Sequence, residues 1–184
     1  MSLRVAITSL LSSLGPLAKP TVTTVLKVWQ PDKPELAELV GQMRSDTEAV
    51  TAGLPDLAEP LTYYHELDAS FFTATGDTFI GTVYAAAGLV NIADAVGDGN
   101  PYPQLSAEFI VTADPDLIFL ACTKFCGESP ETVAARDGWG GLNAVANGNV
   151  IPMDDDIASR WGPRIVDYLE QVGMAVATAA AQNA

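Results

Sequence analysis

Positive charge is scarce in this sequence. Nine Lys and Arg residues stand against 23 Asp and Glu residues, the formal net charge is -14, and no Lys or Arg occurs between Arg44 and Lys124. Such a surface repels nucleic-acid phosphates and anionic lipid head groups, so binding to nucleic acid or to a membrane surface is disfavoured. The acidic charge suits secretion or a cationic partner, although its simplest role is to keep the protein in solution.

Histidine and cysteine are also rare. His65 is the only histidine, which excludes a metal site built from several His ligands. With Glu66 and Asp68 it offers a hard-metal or general-base site, although a strand-end residue satisfied by its neighbours is the simpler interpretation. Cys122 and Cys126 have no partners at zinc-binding spacing. A catalytic thiol here requires a base such as His65. A local disulfide and two unpaired thiols both remain open.

Long apolar runs are absent as well. None reaches the roughly 18 residues that a membrane-spanning helix needs. The stretch from Ser2 to Leu11 has one basic residue and is interrupted by polar residues, so it is weak as a signal peptide. We expect any export signal to lie outside this chain. With 184 residues, 48% hydrophobic and 17% charged, the composition indicates one folded domain with a sizeable core.

The stretch 101–122 contains one complete structural unit. Two prolines hold Tyr102 in an extended loop, and Ser106 is placed to cap a short helix over 107–112. Asp114-Pro115 ends that helix. The apolar run 117–121 has no polar alternation, which is typical of a strand buried on both faces of a parallel sheet.

The rest of the chain continues this alternation of strands and helices. Turn residues, apolar periodicity and capping signals predict further elements. These are a helix from Pro34 to near Gly53, a strand over 61–67, a helix capped by Thr78 with Val90 on its apolar face and ended by Gly88 or Asn91, a helix begun by Ser129-Pro130, a strand over 150–153, and a last helix opened by Pro163. Residues 68–77 and 154–161 are predicted to be polar loops. The expected fold is a three-layer α/β sandwich with a mainly parallel sheet.

In such sheets ligands approach the carboxyl ends of the strands. The loops expected at that edge cover 68–77, 123–129 and 154–162, joined by 100–105. Arg160, Trp161 and Arg164 bring two cations and an indole to this acidic half of the chain, which suits a carboxylate or aromatic group on a ligand. Pairing of the arginines with surface acids and packing of Trp161 in the core is an equally simple explanation.

Two other motifs are better explained by structure than by chemistry. Residues 75–81, TGDTFIG, resemble a phosphate-cradling turn, but no Lys-Ser/Thr follows, so helix capping by Thr78 is the better interpretation. Asp154, Asp155 and Asp156 lack the interleaved spacing of an EF-hand, which favours a solvated loop over a calcium site.

Several motifs resemble one known family. YYHELD with TFIG, GLVNIAD, YPQLSAEFI, ADPDLIFL and RWGPRIVDYLE occur here in the order found in class III solute-binding proteins, which feed iron-siderophore and cobalamin ABC importers. The resemblance runs from about Glu35 to the C-terminus, and YPQLSAE is its most specific part. It implies a Rossmann-like α/β/α sandwich that corresponds to the C-terminal lobe of the family.

The resemblance also implies roles for individual residues. Tyr102 holds the aromatic position that faces the ligand in relatives, and Phe72, Thr73, Arg160 and Trp161 lie in loops that rim the cleft. Glu108 holds the acidic position that docks on an arginine pocket of the permease. Without the family, Glu108 is an ordinary first-turn carboxylate stabilised by the helix dipole.

The function expected from the resemblance is ligand delivery rather than catalysis, and no cofactor is expected. The ligand is an iron-siderophore, haem or cobalamin-type molecule, and the partners are ABC permease subunits. The location is extracytoplasmic, as a membrane-anchored lipoprotein in the full-length form. One alternative is a small α/β enzyme that uses His65 with Cys126 or an acidic residue. Another is an assembly domain that dimerises through apolar surface.

The domain organisation departs from that of the family. Residues 1–33, which include a possible strand over 22–29, form a poorly determined segment too short to supply the family's N-terminal lobe. We expect residues 34–55 to be the remnant of the interlobe helix and residues 56–184 to be the C-terminal lobe. A ligand then meets one wall of the cleft only, and its affinity falls unless the second lobe is supplied.

Overall fold

The computed structural model describes residues 34–97, 99–159, 162 and 164–182. The chain divides into a first compact unit, Met1–Val40, and a second, Gly41–Ala184. The described part of the first unit is the beginning of helix α1, which covers Pro34–Ala52 and confirms the helix predicted from Pro34. The possible strand over 22–29 and the start of the last helix at Pro163 lie outside the described residues.

The second unit alternates strands and helices. Its strands are β1 (Thr62–Glu66), β2 (Val90–Asn91), β3 (Leu117–Leu120) and β4 (Val150–Pro152). Its further helices are α2 (Phe79–Ala86), α3 (Ala107–Ala113), α4 (Pro130–Ala134), α5 (Asn143–Ala146), α6 (Asp155–Ser159) and α7 (Ile165–Gln182), with single 3₁₀ turns at Ile92–Ala95 and Trp139–Gly141.

The four strands form one parallel sheet in the order β2-β1-β3-β4. Tyr64 lies opposite Ile118, and Phe119 lies opposite Ile151. All four residues of β3 are buried, as expected for a strand covered on both faces. The parallel sheet with helices confirms the predicted α/β sandwich.

The two faces of the sheet carry different cores because side chains alternate along each strand. On one face Tyr64 and Ile118 pack in a cluster with residues of α3, α4 and α5, namely Ile110, Val133 and Ala144. On the other face Tyr63 and Phe119 contact Tyr84 of α2, with ring centroids 4.0 and 4.8 Å apart, and Tyr84 contacts Tyr168 of α7.

Hydroxyl side chains begin three of the helices. The Gly81 N–H donates to Thr78 Oγ1 over 3.0 Å at the start of α2. Ser106 accepts from the N–H of Phe109 in α3, and Ser129 forms a capping box at α4. These contacts satisfy N–H groups that a helix leaves unpaired at its first turn. The capping predictions for Thr78, Ser106 and Ser129 are confirmed.

Two details of the predicted local structure are wrong. Helix α2 ends at Ala86, beside the predicted stop at Gly88, where the chain turns with φ 76°. Val90 therefore does not lie on the apolar face of this helix and instead pairs with Thr62 as part of β2. The predicted polar loop at 154–161 contains helix α6. Asp154 begins that helix by accepting from the N–H of Asp156 over 2.9 Å.

The last helix presents the predicted apolar face. Ile165, Leu169, Val172 and Val176 are all buried. Gly173 lies on the same helix, where an added Cβ would meet Leu54 at 3.3 Å. Among the described helices, none combines the length and the apolar character needed to cross a membrane.

Gly81 lies where α2 closely approaches the loop before it, and a substitution there tests this packing. A Cβ at position 81 would lie 2.5 Å from the Cα of Gly76, which is backbone and cannot swing aside. We expect Gly81→Ala to lower the free energy of unfolding by about 1–3 kcal/mol, measured by urea denaturation. The matched control is Gly41→Ala in α1, where a Cβ meets nothing within 4 Å. That change is expected to stabilise the helix by about 0.5–1 kcal/mol, and an equal loss in both variants would contradict the packing account.

Candidate functional site

The carboxyl ends of the strands define the candidate site. Parallel strands end at the same edge of a sheet, so the loops that follow β1, β2, β3 and β4 all leave from one side. The chain leaves β1 towards the helix on one face and leaves β3 towards the helices on the other. Such a reversal opens a crevice between the two strands at which ligands of α/β proteins commonly bind.

Two of these loops are joined to each other. The loop after β1 and the segment before α3 run side by side, with an antiparallel bridge between Phe72 and Gln104. Three backbone hydrogen bonds of 3.0 Å connect them, from Thr73 N–H to Pro103 O, from Thr75 N–H to Pro101 O, and from Leu105 N–H to Phe71 O. The two loops therefore form one surface.

Two of the predicted ligand contacts lie exposed on this surface. The side chain of Phe72 is 39% exposed and that of Tyr102 is 47% exposed. Thr73 is fully buried, and its hydroxyl has no hydrogen-bond partner. The role of Thr73 as a ligand contact stays a prediction.

Phe71 fixes the position of Phe72. Its backbone has φ 65°, a left-handed conformation that a bulky residue adopts only when its surroundings compensate. The ring stacks on Trp139 at a centroid distance of 5.6 Å. The guanidinium of Arg136 lies 4.6 Å from the Trp139 centroid and 5.5 Å from that of Phe71. Aromatic packing thus holds the turn that carries Phe72.

A buried ion network lies directly below this turn. Arg136 donates two hydrogen bonds of 2.6 and 2.7 Å to the two carboxylate oxygens of Glu66, at the end of β1. It donates a third, of 2.7 Å, to Glu128 in the loop after β3. Burial raises the pKa of Glu66, and the hydrogen bonds from Arg136 act against this shift. The network links the loops that follow β1 and β3.

The loop after β3 is closed by two kinds of contact. Cys122 and Cys126 form a disulfide, with their Cα atoms 5.3 Å apart. The buried carboxylate of Asp155 accepts hydrogen bonds from the hydroxyl of Thr123 and from the backbone N–H groups of Thr123, Lys124 and Phe125. Burial alone would raise the pKa of Asp155, but these hydrogen bonds outweigh it and lower the pKa to about 2.

His65 is not available as a general base at this edge. It is fully buried, and its Nδ1 pairs with the hydroxyl of Tyr84 over 2.8 Å, which in turn accepts from Tyr168 over 2.6 Å. Cys126 has no thiol because it is in the disulfide. The enzyme alternative that pairs His65 with Cys126 is therefore wrong. Within the described ranges, no group of three or more His, Cys, Asp or Glu residues could hold a metal ion.

The other predicted site residues are placed differently. Arg160 and Trp161 lie outside the described residues, whereas Arg164 is exposed just before α7. Glu108 is exposed in the first turn of α3. Asp155 is buried rather than part of a solvated loop, which corrects the interpretation of the three consecutive aspartates.

Sequence reasoning missed the roles of four residues at this edge. Arg136 and Glu66 are 70 positions apart, and no local pattern indicates that they pair. Asp155 binds backbone N–H groups about 30 positions away, which no side-chain motif records. Phe125 could have been singled out from the sequence, since it is a bulky apolar residue between two cysteines in an otherwise polar loop.

The buried imidazole predicts a pH-dependent stability. Burial lowers the pKa of His65 from 6.5 to about 4, so the unfolded chain binds a proton more readily than the folded chain between these values. The contribution of His65 is complete above about pH 6.5 and is lost as the pH falls towards 4. We expect urea denaturation to show about 2–3 kcal/mol lower stability at pH 4.5 than at pH 7.5 from this group.

His65→Gln is the matched variant, because it keeps a polar side chain but does not titrate. Its starting stability is lower, and the part of the acid-induced loss that belongs to His65 is expected to disappear. Equal losses in the two proteins between pH 7.5 and 4.5 would mean that the imidazole is not the group that titrates.

Comparison with known proteins identifies the family. The model of the periplasmic binding protein family matches residues 13–157. A cobalamin-binding protein of Halobacterium salinarum is 34% identical over 143 residues, which cover 76% of this chain and 38% of that protein. The substrate-binding lipoprotein YvrC of Bacillus subtilis is 27% identical over 143 residues, covering 76% of this chain and 43% of that protein. The chain thus spans about two fifths of the length of these curated relatives.

Solved structures show the same fold. The vitamin B12 binding protein BtuF of Vibrio cholerae superposes with a TM-score of 0.68 at 22% identity, covering 95% of this chain and 70% of that chain. A possible iron-binding periplasmic solute-binding protein of Staphylococcus epidermidis gives a TM-score of 0.67 at 24% identity, with 77% and 55% covered. The resemblance read from the motifs is confirmed, and this chain belongs to the periplasmic binding protein family.

Proposed function

We propose that this chain forms one lobe of the ligand-binding component of an ABC importer. Its ligand is of the iron-siderophore, haem or cobalamin type, and the lobe works outside the cytoplasm. The observation that carries the proposal is the pair of exposed aromatic residues, Phe72 and Tyr102, on two loops bonded to each other at the carboxyl edge of the sheet. A hydrophobic aromatic surface at this edge suits a large, partly apolar ligand.

The relatives support the same class of ligand. The Halobacterium protein is named for cobalamin binding, and the Vibrio structure is of a vitamin B12 binding protein. Other structures of the same fold are described as haem-binding and Fe3+-hydroxamate transport proteins. The disulfide between Cys122 and Cys126 agrees with an oxidising location outside the cytoplasm.

The proposal also covers the domain boundaries and two further residues of the site. In this arrangement residues 34–55 are part of the helix that connects two lobes, and residues 56–184 are the C-terminal lobe. Arg160 and Trp161 come between α6 and α7 in the chain, outside the described residues. We assign to them the electrostatic and stacking contacts that Phe72 and Tyr102 cannot provide.

Ligand binding tests the proposal directly. The protein carrying both lobes is titrated calorimetrically with cyanocobalamin, haemin and a ferric trihydroxamate. We expect one of these to bind, and Tyr102→Ala and Phe72→Ala each to weaken its affinity about tenfold. The control is Met174→Ala on α7, which also removes an exposed apolar side chain, 63% exposed, and should change Kd less than about twofold. Failure of all three ligands to bind would remove the proposed cargo class.

Glu108 is proposed to contact the permease rather than the ligand. It is exposed in the first turn of α3, the helix that follows the Tyr102 loop. An exposed carboxylate on a short helix can pair with an arginine on a partner. Removing one member of such a pair from a desolvated contact weakens the binding free energy by about 2–5 kcal/mol.

We expect Glu108→Ala to leave Kd for the ligand unchanged and to lower the uptake rate by about tenfold or more in cells that depend on this importer. Glu170→Ala, which removes an exposed carboxylate from α7, is the matched control and should leave both measurements unchanged. Normal uptake by the Glu108 variant would exclude the docking role.

A further inference from the structure

Phe125 is the most exposed large hydrophobic side chain in the described part of the chain. It is 88% exposed, compared with 47% for Tyr102 and 39% for Phe72. It lies in the loop after β3, between the two cysteines of the disulfide. A phenyl ring that is almost entirely exposed to water contributes little to the core, so it is free to contact a ligand.

The loop that carries Phe125 is rigidly held. The disulfide closes it at both ends, since the bonded cysteines flank residues 123–125. The Phe125 N–H donates to Asp155 Oδ2 over 3.2 Å, and the neighbouring Lys124 forms an ion pair with Asp154 over 2.5 Å. A loop backbone held in this way loses little conformational freedom when a ligand arrives, which favours binding.

The same loop is connected to the aromatic surface of the proposed site. Glu128, two residues beyond the disulfide, binds Arg136, and Arg136 packs over Phe71 next to Phe72. Strand β3 pairs directly with β1, whose following loop carries Phe72. The Phe125 loop therefore leaves the sheet beside the Phe72 loop and is held to the same buried network.

We propose that Phe125 is a third ligand-contacting aromatic residue, and that its ring packs against an apolar or conjugated face of the cargo. This inference rests on the proposed function, because the cargo is the occupant to which it commits. The ring lies in the loop after β3, and β3 lies between β1 and β4 in the sheet, so a ligand that contacts the loops after both flanking strands would also reach this loop. Packing of a ring on such a face adds to affinity beyond the area buried.

The experiment compares two substitutions at this position in the protein carrying both lobes. Kd is measured by calorimetry for whichever of cyanocobalamin, haemin and a ferric trihydroxamate binds the wild-type protein. We expect Phe125→Ala to raise Kd about tenfold and Phe125→Tyr, which keeps the ring, to change it less than about twofold. Met174→Ala is the control for removing an exposed apolar side chain, and thermal unfolding confirms that each variant is folded.

A double-mutant cycle tests the role of the rigid loop. Replacing both cysteines, Cys122→Ser and Cys126→Ser together, is expected to raise Kd about threefold when Phe125 is present. The same replacement in the Phe125→Ala background should have no further effect, because the disulfide then has no ring to position. The comparison of Phe125→Ala with Phe125→Tyr stands even where the serine variant fails to fold.

The outcomes separate this inference from the proposed function. A wild-type protein that binds no probe overturns the proposed function and this inference with it. A wild-type protein that binds, with an unchanged Kd in Phe125→Ala, overturns the inference alone. In that case, loss of uptake would assign Phe125 to the permease surface, and a change in sedimentation with concentration would assign it to contact between two copies of the chain.

Discussion

The parallel pairing of β1 with β3 is the constraint on which the rest of the structure depends. It places the ends of both strands at one edge, with Glu66 opposite Leu120. The loops that leave this edge then lie next to each other although they are more than fifty residues apart in the chain. Phe72 follows β1, Phe125 follows β3, and Tyr102 lies on the loop that is hydrogen-bonded to the one after β1. The direction of the strands thus determines where the site lies, and no single side chain does so.

A second layer of contacts fixes those loops at the edge. Buried polar groups are stable only when they are paired, and here each pairing joins two loops. Arg136 connects the end of β1 with the loop after β3, and Asp155 connects that loop with the start of α6. At this edge the carboxylates of Glu66 and Asp155 are buried while the rings of Phe72, Tyr102 and Phe125 are exposed, which is the reverse of the usual distribution. Such an arrangement is understandable where the rings serve a ligand.

The sequence predicted the fold well because the signals for it are local. The apolar run of β3 and the hydroxyl caps at Thr78 and Ser106 each depend on neighbouring residues. Strand β2 was missed because two residues carry no periodicity, and α6 was missed because Asp155 is satisfied by a distant loop. For the site, Phe72 and Tyr102 were indicated by motif, whereas the burial of Thr73 and the pairing of Arg136 with Glu66 depend on tertiary contacts.

The bonds between the loops at 71–75 and 101–105 have an evolutionary consequence. They join backbone atoms, so they do not depend on which side chains occupy positions 72 and 102. Substitutions at these two positions can reshape the surface while the chain path beneath stays the same. A scaffold of this kind can vary its surface in single steps without first losing its architecture. Divergence at this edge of the sheet therefore requires no new fold.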